Sequence, residues 1–471
     1  MLFNSWSFPP FLAVVLALYY VLPHRAQNVM LLLASYVFYA CWDWRFLGLL
    51  LLSTTIDWTL ANLIAREPTR AGAKRWVAAS VAVNLCFLGF FKYFNFFVDS
   101  ADALLKGVGL AGFARHLDVV LPVGISFYTF QSISYIVDVY RGEVAPARNP
   151  LDFALFVAFF PHMVAGPIMH SRALLPQMQN PRHPTWAQAR SGLWLMLWGF
   201  FKKMVIADNL AGVVGMAYDR PDAAGVSGAA ILVATYAFAY QIYCDFSGYT
   251  DIARGVARLM GIELMLNFRQ PYLAQNPPDF WRRWHISLST WLRDYLYIPL
   301  GGSRGGTLLT YRNLLLTMLL GGLWHGAAWN FVLWGAFHGL LLVAHRLVVD
   351  EWQLWRFEGR VARFVARVAM FHLVCYGWLL FRATSFDQIR VFTGTLLGGL
   401  AGFAALGIFP AMVAVLAASV WAVESWVRNA DEPGASPGWH RGLGPLACTL
   451  LLVAIVLLTP TDTRSFIYFQ F

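Results

Sequence analysis

The stretch LTMLLGGLWHGAAWNFVLWGAFHGLLLVAH, residues 316–345, decides the fold class. It is apolar over more than the roughly 20 residues that a bilayer-spanning helix needs, yet it carries an imidazole, His325. Gly321 and Gly322 precede this histidine and Gly326 follows it. Glycines at such positions permit close backbone approach or a break in the helix. We therefore expect the helix to break near His325 and to open into a cavity.

The whole chain has the composition of a membrane protein. Its 471 residues are 59% hydrophobic and only 13% charged, whereas soluble domains carry about 25% charged residues. Apolar runs recur along the chain, so we predict an all-α polytopic membrane protein with about 10–13 transmembrane and re-entrant helices. We expect a single membrane domain, 1–471, in which 428–442 forms a polar loop before the last span.

The net charge of +10 agrees with the gathering of basic residues in cytoplasmic loops. Loop 66–75 carries four basic residues, and counting back three spans places the N-terminus outside. Segment 254–312 holds eight arginines against three acids, which also predicts a cytoplasmic location. Because no polar basic face exists apart from such loops, a nucleic-acid partner is not expected.

Cofactor and metal sites are not indicated by the sequence. The cysteines are scattered and form no CxxC pair, so neither a disulfide framework nor a zinc site is expected. Residues 107–112, GVGLAG, match a dinucleotide motif but follow no strand. Nothing in the spacing of the histidines in apolar segments selects a haem-ligand pair; these histidines are His162, His170, His345 and His372. We predict no metal and no resident cofactor.

Residues 277–302, PPDFWRRWHISLSTWLRDYLYIPLGG, are expected to form an interfacial helix that does not span the membrane. Prolines before it and Pro299 after it limit its length. At 100° per residue one apolar stripe forms, made of Trp281, Trp284, Leu288, Trp291, Leu292 and Tyr295. His285 falls inside this stripe, so the helix should point one imidazole toward the protein interior, as a core or a functional residue.

His325 and His285 are the candidate catalytic residues. An ionisable residue inside a membrane segment is costly and suggests a function, and a neutral imidazole can take a proton from a hydroxyl. Trp324 can wall a narrow cavity, and Asn330 offers an amide partner for a ring nitrogen. The residues alone leave His325 open between structural and catalytic roles, and His338 is expected to be structural.

Polar residues also accumulate in two other apolar segments. Segment 125–138 contains Gln131, and segment 240–251 contains Gln241, Asp245 and Ser247. Either set can act as polar contacts between helices. Together with His325 they could instead line a wet tunnel, and with Trp284 they complete our tunnel-lining candidates.

Several motifs resemble the membrane-bound O-acyltransferase (MBOAT) family, in particular its bacterial alginate and polysaccharide O-acetyltransferase branch. The two stretches that carry the resemblance are DFWRRWHISLSTWLRDYLYIPLGG and GLWHGAAWNFVLWGAFHG. Shorter matches in the same order are MLFNSWSF, ASYVFYACW, FKYFNFF, LPVGISFYTFQSISYIVDVYRGE, MVAGPI, YCDFSGYTDIARGVARLMGI and FIYFQF. They cover most of 1–345, whereas 346–460 match mainly as a hydrophobic pattern. His162 in FFPHMVAGPI departs from the family pattern.

The resemblance implies a ring of helices around a central tunnel, where a cytoplasmic thioester donor meets an acceptor from the other side. The family's WHG histidine falls on His325 and its RRWH histidine on His285. The implied reaction is acyl transfer, with His325 as general base and His285 positioning the donor or polarising its carbonyl. With no serine or cysteine placed as a nucleophile, direct transfer is favoured.

The resemblance also implies the setting of the reaction. We expect a bacterial inner-membrane protein with a periplasmic N-terminus, embedded in the lipid bilayer. Its expected partners are a periplasmic acetyltransferase protein and an acyl carrier protein, with acetyl-CoA as the other candidate donor. Two alternatives stay open at this point: D-alanyl transfer to teichoic acid, and a proton-coupled transporter, which would also use buried His, Gln and Asp.

Overall fold

The computed structural model describes residues 1–112, 116–220, 223–354, 359–427, 443–461 and 466–467. These residues form helices and turns and contain no β-strand, which confirms the all-α prediction. The predicted polar loop, 428–442, lies outside the described residues.

The structure confirms a polytopic membrane protein. Six helical runs are long and apolar enough to cross a membrane, namely His24–Arg66, Arg70–Gly107, Gly228–Leu259, Trp329–Val349, Arg360–Arg382 and Phe409–Trp426. Two shorter apolar helices are Phe8–Val21 and Gly444–Leu458. The number of 10–13 spanning and re-entrant helices stays a prediction.

The chain forms two compact units, one of residues 1–189 and 256–265 and one of 190–255 and 266–471. We refer to them as unit 1 and unit 2, and the single membrane domain stays a prediction. The main helices of unit 1 are α1 (Phe8–Val21), α2 (His24–Asp43), α3 (Leu47–Arg66), α4 (Arg70–Leu88), α5 (Phe94–Gly107), α6 (Ile125–Arg141), α7 (Pro150–Ala158), α8 (Phe160–Met163) and α9 (Ser171–Gln179).

Within unit 1, the polar-rich helix α6 packs against α3 and α4. The start of α6 requires a glycine for two reasons. Gly124 has φ 77°, in the left-handed region that side chains disfavour. In addition, a Cβ atom at this position would lie 2.8 Å from the carbonyl oxygen of Met163.

The main helices of unit 2 follow from residue 190 onward, although α10 begins and α12 ends in unit 1. They are α10 (Trp186–Phe200), α11 (Asp208–Tyr218), α12 (Gly228–Leu259), α13 (Pro277–Trp281), α14 (Ile286–Leu292), α15 (Thr307–His325), α16 (Trp329–His345), α17 (Arg360–Arg382), α18 (Phe386–Gly398), α19 (Phe409–Val427) and α20 (Leu443–Leu458). Three π-helical turns extend α10, α14 and α16, at Phe201–Ala207, Arg293–Tyr297 and Arg346–Glu351.

Helices α15 and α16 form a tight antiparallel hairpin. A Cβ atom at Gly322 would lie 2.2 Å from the carbonyl oxygen of Phe331. A Cβ atom at Gly335 would lie 2.3 Å from the carbonyl oxygen of Met318. The glycines therefore set the spacing of the two helices, because any side chain would push them apart.

The predicted continuous helix over 277–302 is wrong. Two short helices, α13 and α14, replace it, and residues 282–285 between them form turns and bends. His285 has φ 42° and ψ 56°, a left-handed conformation that no right-handed helix contains.

A long-range backbone pairing explains this interruption. The N–H of Ile286 donates to the carbonyl of Asn267 (2.9 Å), and the N–H of Arg269 donates to the carbonyl of Arg283 (2.9 Å). The side-chain oxygen of Asn267 also accepts from the N–H of Ser287 at 3.1 Å. These bonds take backbone groups that a continuous helix would use itself.

Candidate active site

His325 is the last residue of α15, as the glycine pattern around it predicts. The next residue, Gly326, is extended with φ −161° and ψ 151°, so the helix stops there. A Cβ atom at Gly326 would lie 2.1 Å from the ring of Phe331. The end of the helix and the absence of a side chain at Gly326 both leave space for the ring of Phe331 next to this turn. The predicted helix break is confirmed.

Aromatic rings surround the imidazole of His325, which is only 3% exposed. Its ring centre lies 5.0 Å from that of Trp334 and 5.5 Å from that of Phe381, both edge-on. Trp324, a predicted tunnel-lining residue, lies 5.1 Å away. These rings exclude bulk water from the imidazole, which strengthens any polar interaction that it forms.

His285 has one ring nitrogen in use and one without a partner. Its Nδ1 accepts a hydrogen bond from the N–H of Leu288 at 3.2 Å and so caps α14. In a neutral imidazole only one nitrogen carries a proton, so the proton of His285 resides on Nε2. Within the described part of the chain, Nε2 has no hydrogen-bond partner, so its N–H is left without an acceptor.

His285 stays neutral at physiological pH. Burial lowers its pKa from 6.5 to about 3, since a charged imidazole is disfavoured where no water solvates it. The residue is fully buried and lies outside the six runs able to cross a membrane. The imidazole of His285 is therefore neutral rather than a cation.

The structure brings the two candidate histidines together. Their ring centres are 6.3 Å apart, with planes at 76°. Trp324 also contacts the ring of His285, at 5.9 Å, and Phe246 of α12 packs edge-on against it at 4.7 Å. Two imidazoles at this separation can both reach one reacting group between them.

The amide nitrogen of Asn330 makes contacts that the sequence did not indicate. Its Nδ2 donates to the carbonyl oxygens of Phe381 (3.1 Å) and Ala383 (3.0 Å). That Asn330 serves a histidine nitrogen or lines a tunnel stays a prediction. Through these two hydrogen bonds Asn330 holds the end of α17 in place, and this positions Phe381 against His325.

Trp284 and His338 lie in the aromatic layer behind the two histidines. Trp284 is fully buried and packs on Trp378 with ring centres 4.7 Å apart. His338 is fully buried too. Its ring centre lies 4.8 Å from that of Trp334, which separates it from His325. That Trp284 lines a tunnel stays a prediction.

Two of the three polar residues predicted on α12, Asp245 and Ser247, belong to a buried ionic cluster. Asp245 pairs with Lys203 at 2.7 Å, and Ser247 accepts from Lys202 at 2.9 Å. The same two lysines pair with Asp208 (2.8 Å) and Asp251 (2.6 Å). In Gln241 the side-chain oxygen is buried without a hydrogen-bond partner among the described residues. The sequence analysis did not single out Lys202 and Lys203, although these two adjacent lysines lie within an apolar run of the sequence.

This ionic cluster adjoins the histidines through α12 and residues 466–467. The N–H of Ile467 donates to Asp245 at 2.6 Å. Its neighbour Phe466 packs on Phe246, with ring centres 5.8 Å apart, and Phe246 packs on His285. Phe466 and Ile467 are the first two residues of the motif FIYFQF, and the contact of Phe466 with Phe246 could not be predicted from the sequence.

Gln131 and His162 belong to unit 1. The side-chain oxygen of Gln131 accepts a hydrogen bond from His162 Nε2 at 3.0 Å. The amide nitrogen of Gln131, Nε2, donates to the carbonyl of Phe156 at 2.7 Å. Within unit 1 the pair serves as a polar contact between α6, α7 and α8. That Gln131 lines a tunnel stays a prediction.

A cavity of about 490 Å³ lies within unit 2. Tyr243 and Tyr272 form part of its wall, and both rings also contact Trp284, at 6.3 and 6.4 Å. The cavity is thus separated from the backbone of His285 by a layer of aromatic rings. The central tunnel itself stays a prediction.

Comparison with known proteins gives one consistent result. The model of the MBOAT, membrane-bound O-acyltransferase, family matches residues 83–381. A probable alginate O-acetylase of Pseudomonas putida is 41% identical, with 98% of each chain covered. A probable alginate O-acetylase of Azotobacter vinelandii is 48% identical over 80% of this chain and 74% of the relative. A peptidoglycan O-acetyltransferase of Helicobacter pylori is 36% identical over 84% of this chain and 79% of the relative.

Proposed function

Because the chain belongs to the membrane-bound O-acyltransferase family and is an acyltransferase, we propose that it serves polysaccharide O-acetylation. It takes an acetyl group from a cytoplasmic thioester donor and moves it across the membrane for transfer to an exported polymer such as alginate. The names of the relatives with 41–48% identity support this substrate class.

The observation that carries the proposal is the pairing of His285 and His325, 6.3 Å apart in a buried aromatic pocket. His325 takes the proton of an acceptor hydroxyl, and the oxygen attacks the thioester carbonyl carbon. The Nε2–H of His285 donates to the carbonyl oxygen as negative charge develops there. The carbon–sulfur bond then breaks, and the thiolate takes the proton from His325. The ester and the free thiol are the products.

The same proposal assigns roles to the surroundings. Trp324 lies beside the two histidines, and the tunnel-lining candidates Trp284 and Gln241 lie along the path of donor or acceptor. Gln131 stays a separate tunnel-lining candidate within unit 1. Asp245 and Ser247 hold α12 through their lysine partners, and this positions Phe246 against His285.

We further propose the location and the partners. The protein lies in a bacterial inner membrane with its N-terminus in the periplasm, since loop 66–75 is basic. A periplasmic acetyltransferase protein receives the acetyl group, and the donor is acetyl-CoA or an acyl carrier protein. D-alanyl transfer to teichoic acid is the alternative within acyl transfer. Family membership favours an enzyme over the transporter.

Complementation of a deletion strain tests this function. The strain receives the wild-type gene, His325→Ala, His285→Ala or the control His183→Ala, which alters an exposed histidine. Mass spectrometry then measures O-acetyl groups on exported polysaccharide and on peptidoglycan, and immunoblots measure the protein in membranes. We expect acetylation with the wild type and the control only. Full acetylation with a membrane-inserted His325→Ala protein would contradict the proposed role.

A further inference from the structure

The cavity of unit 2 contains two opposite charges that do not pair with each other. Its volume is about 490 Å³, and Arg367 of α17 and Glu424 of α19 both line it. Each of these residues lies in a helical run able to cross a membrane. Within the described part of unit 2, neither of them forms an ion pair. Ionisable groups inside membrane segments are costly and normally have a partner or a function.

The carboxylate of Glu424 has one oxygen in use and one left over. Its Oε1 accepts a hydrogen bond from the hydroxyl of Tyr243. The backbone carbonyl of Glu424 accepts from Gln270 at 2.8 Å, so this turn of α19 is held against the cavity wall. The second oxygen, Oε2, makes no hydrogen bond to a described residue, and it is therefore available to a ligand in the cavity.

The remaining titratable side chain of the described cavity wall, His372, is already occupied. Its Nδ1 donates to the carbonyl of Val368 at 2.7 Å, and its Nε2 lies 2.7 Å from the hydroxyl of Tyr236. Both ring nitrogens are thus used by neighbouring residues of unit 2. Arg367 and Glu424 are therefore the two charges that the described wall offers to a ligand.

One side of the cavity is open toward lipid. Phe364, Val368 and Trp421 line it and are also exposed. All three lie on runs able to cross a membrane, where an exposed apolar side chain meets lipid chains rather than water. An occupant can therefore enter from the bilayer and keep its apolar part there.

We propose that this cavity binds phosphatidylethanolamine, a phospholipid with a phosphate and a primary ammonium group. The phosphate contacts Arg367, because a guanidinium group matches two phosphate oxygens at once. The ammonium group donates to Glu424 Oε2 and lies against the ring of Tyr240, since aromatic faces attract cations. The acyl chains extend past Trp421 into the bilayer.

The charges of the cavity select this headgroup over those of other phospholipids. A zwitterion balances Arg367 and Glu424 together, whereas an anionic phospholipid leaves the carboxylate without a counter-charge. A quaternary ammonium group has no N–H to donate to Glu424, so phosphatidylcholine should bind more weakly than phosphatidylethanolamine. Binding does not depend on acyl transfer, and it can be measured without a donor or an acceptor.

Lipid binding to the purified, delipidated full chain in detergent tests the site. Phosphatidylethanolamine, phosphatidylcholine and phosphatidylglycerol with identical acyl chains are added separately, native mass spectrometry counts the lipids retained, and the Tm is recorded. We expect one tightly retained phosphatidylethanolamine and a saturable rise of roughly 2 °C at tenfold excess over its Kd. Soluble glycerophosphoethanolamine, the headgroup without chains, should give no rise at the same concentration.

Two variants and a control connect the binding to the two charges. Glu424→Gln keeps an acceptor for Tyr243, and it should weaken phosphatidylethanolamine at least about tenfold and abolish its preference over phosphatidylglycerol. Arg367→Gln should weaken both lipids at least about tenfold. The control Arg390→Gln, which changes an exposed arginine of α18, should bind phosphatidylethanolamine as the wild type does.

Equal retention of phosphatidylethanolamine and phosphatidylglycerol by the wild type would overturn the proposal. So would an unchanged preference in both charge variants. A rise in Tm with glycerophosphoethanolamine equal to that with the lipid would show a site for a free headgroup and overturn the lipid assignment. If the charge variants do not fold, the competition of the three lipids for the wild type decides.

Discussion

Replacing Gly322 with alanine should damage the active site without touching either histidine. The new Cβ atom would lie 2.2 Å from the carbonyl oxygen of Phe331, whereas ordinary contacts begin at 3.4 Å. The difference requires α15 and α16 to separate by about 1.2 Å (3.4 − 2.2). Overpacking of this kind typically costs about 1–3 kcal/mol of stability.

The same separation acts on the reaction because His325 is three residues after Gly322 and its ring contacts Trp334 of the partner helix. A misplacement of about 1 Å can lower a reaction rate by about 10²-fold. We therefore expect Gly322→Ala to insert in the membrane, lose a few degrees in Tm and acetylate polymer about 10²-fold more slowly.

The assay is the rate of acetyl transfer to exported polymer per amount of membrane-inserted protein, together with the Tm in detergent. Gly394→Ala is the matched control, since a Cβ atom at this helical glycine meets nothing within 4 Å. It should keep full activity and gain about 0.5–1 kcal/mol of stability from better helix propensity. Wild-type transfer rates in Gly322→Ala would refute the claim that hairpin spacing positions His325.

Other changes test neighbouring parts of the account. His285→Gln should lower the transfer rate by about 10²–10³-fold, measured in isolated membranes. Because burial lowers the pKa of His285 to about 3, the contribution of its neutral ring to stability is complete above pH 6.5 and is lost as the pH falls from 6.5 to 3. As the pH falls over this range, the Tm of the wild type should decline more than the Tm of His285→Gln. Asn330→Ala should lose two hydrogen bonds at about 1 kcal/mol each, seen as a lower Tm. Lys203→Met should leave two buried aspartates without their partner and cost about 3–5 kcal/mol, seen as lost protein in membranes. Arg390→Met, at an exposed pair with Asp387, should cost at most about 1 kcal/mol.

The break at His325 could be predicted because its causes are local. Glycines on both sides and an imidazole in an apolar run are visible in ten residues, and the structure ends α15 there. The all-α membrane class follows from composition in the same way. Both predictions depend on properties of residues that are adjacent in the sequence.

The helix over 277–302 was predicted wrongly because its interruption depends on distant residues. Helical periodicity assumes one conformation throughout, whereas Asn267 removes backbone groups near His285 from the helix. His285 is nevertheless buried as expected. Its burial comes from a turn that presents the ring, not from one face of a continuous helix.

The contacts of the remaining site residues also lay beyond sequence reasoning. Asp245 pairs with Lys203, which is 42 positions earlier in the chain (245 − 203), and the tunnel-lining role of Asp245 stays a prediction. The amide nitrogen of Asn330 donates to carbonyl groups at the end of α17, which the residues around His325 in the sequence do not indicate. Such pairings arise when helices pack, and residue spacing within one helix does not encode them.

The most direct test of the account is a double-mutant cycle on the two histidines. Membranes carrying the wild type, His325→Ala, His285→Ala or the double variant are given [¹⁴C]acetyl-CoA, and the initial rate of acetyl transfer is measured per inserted protein. If both rings, 6.3 Å apart, act on the same acyl group, their effects are non-additive, and the double variant is about as slow as the slower single variant. Losses that multiply, or a wild-type rate in His325→Ala, would contradict a shared site.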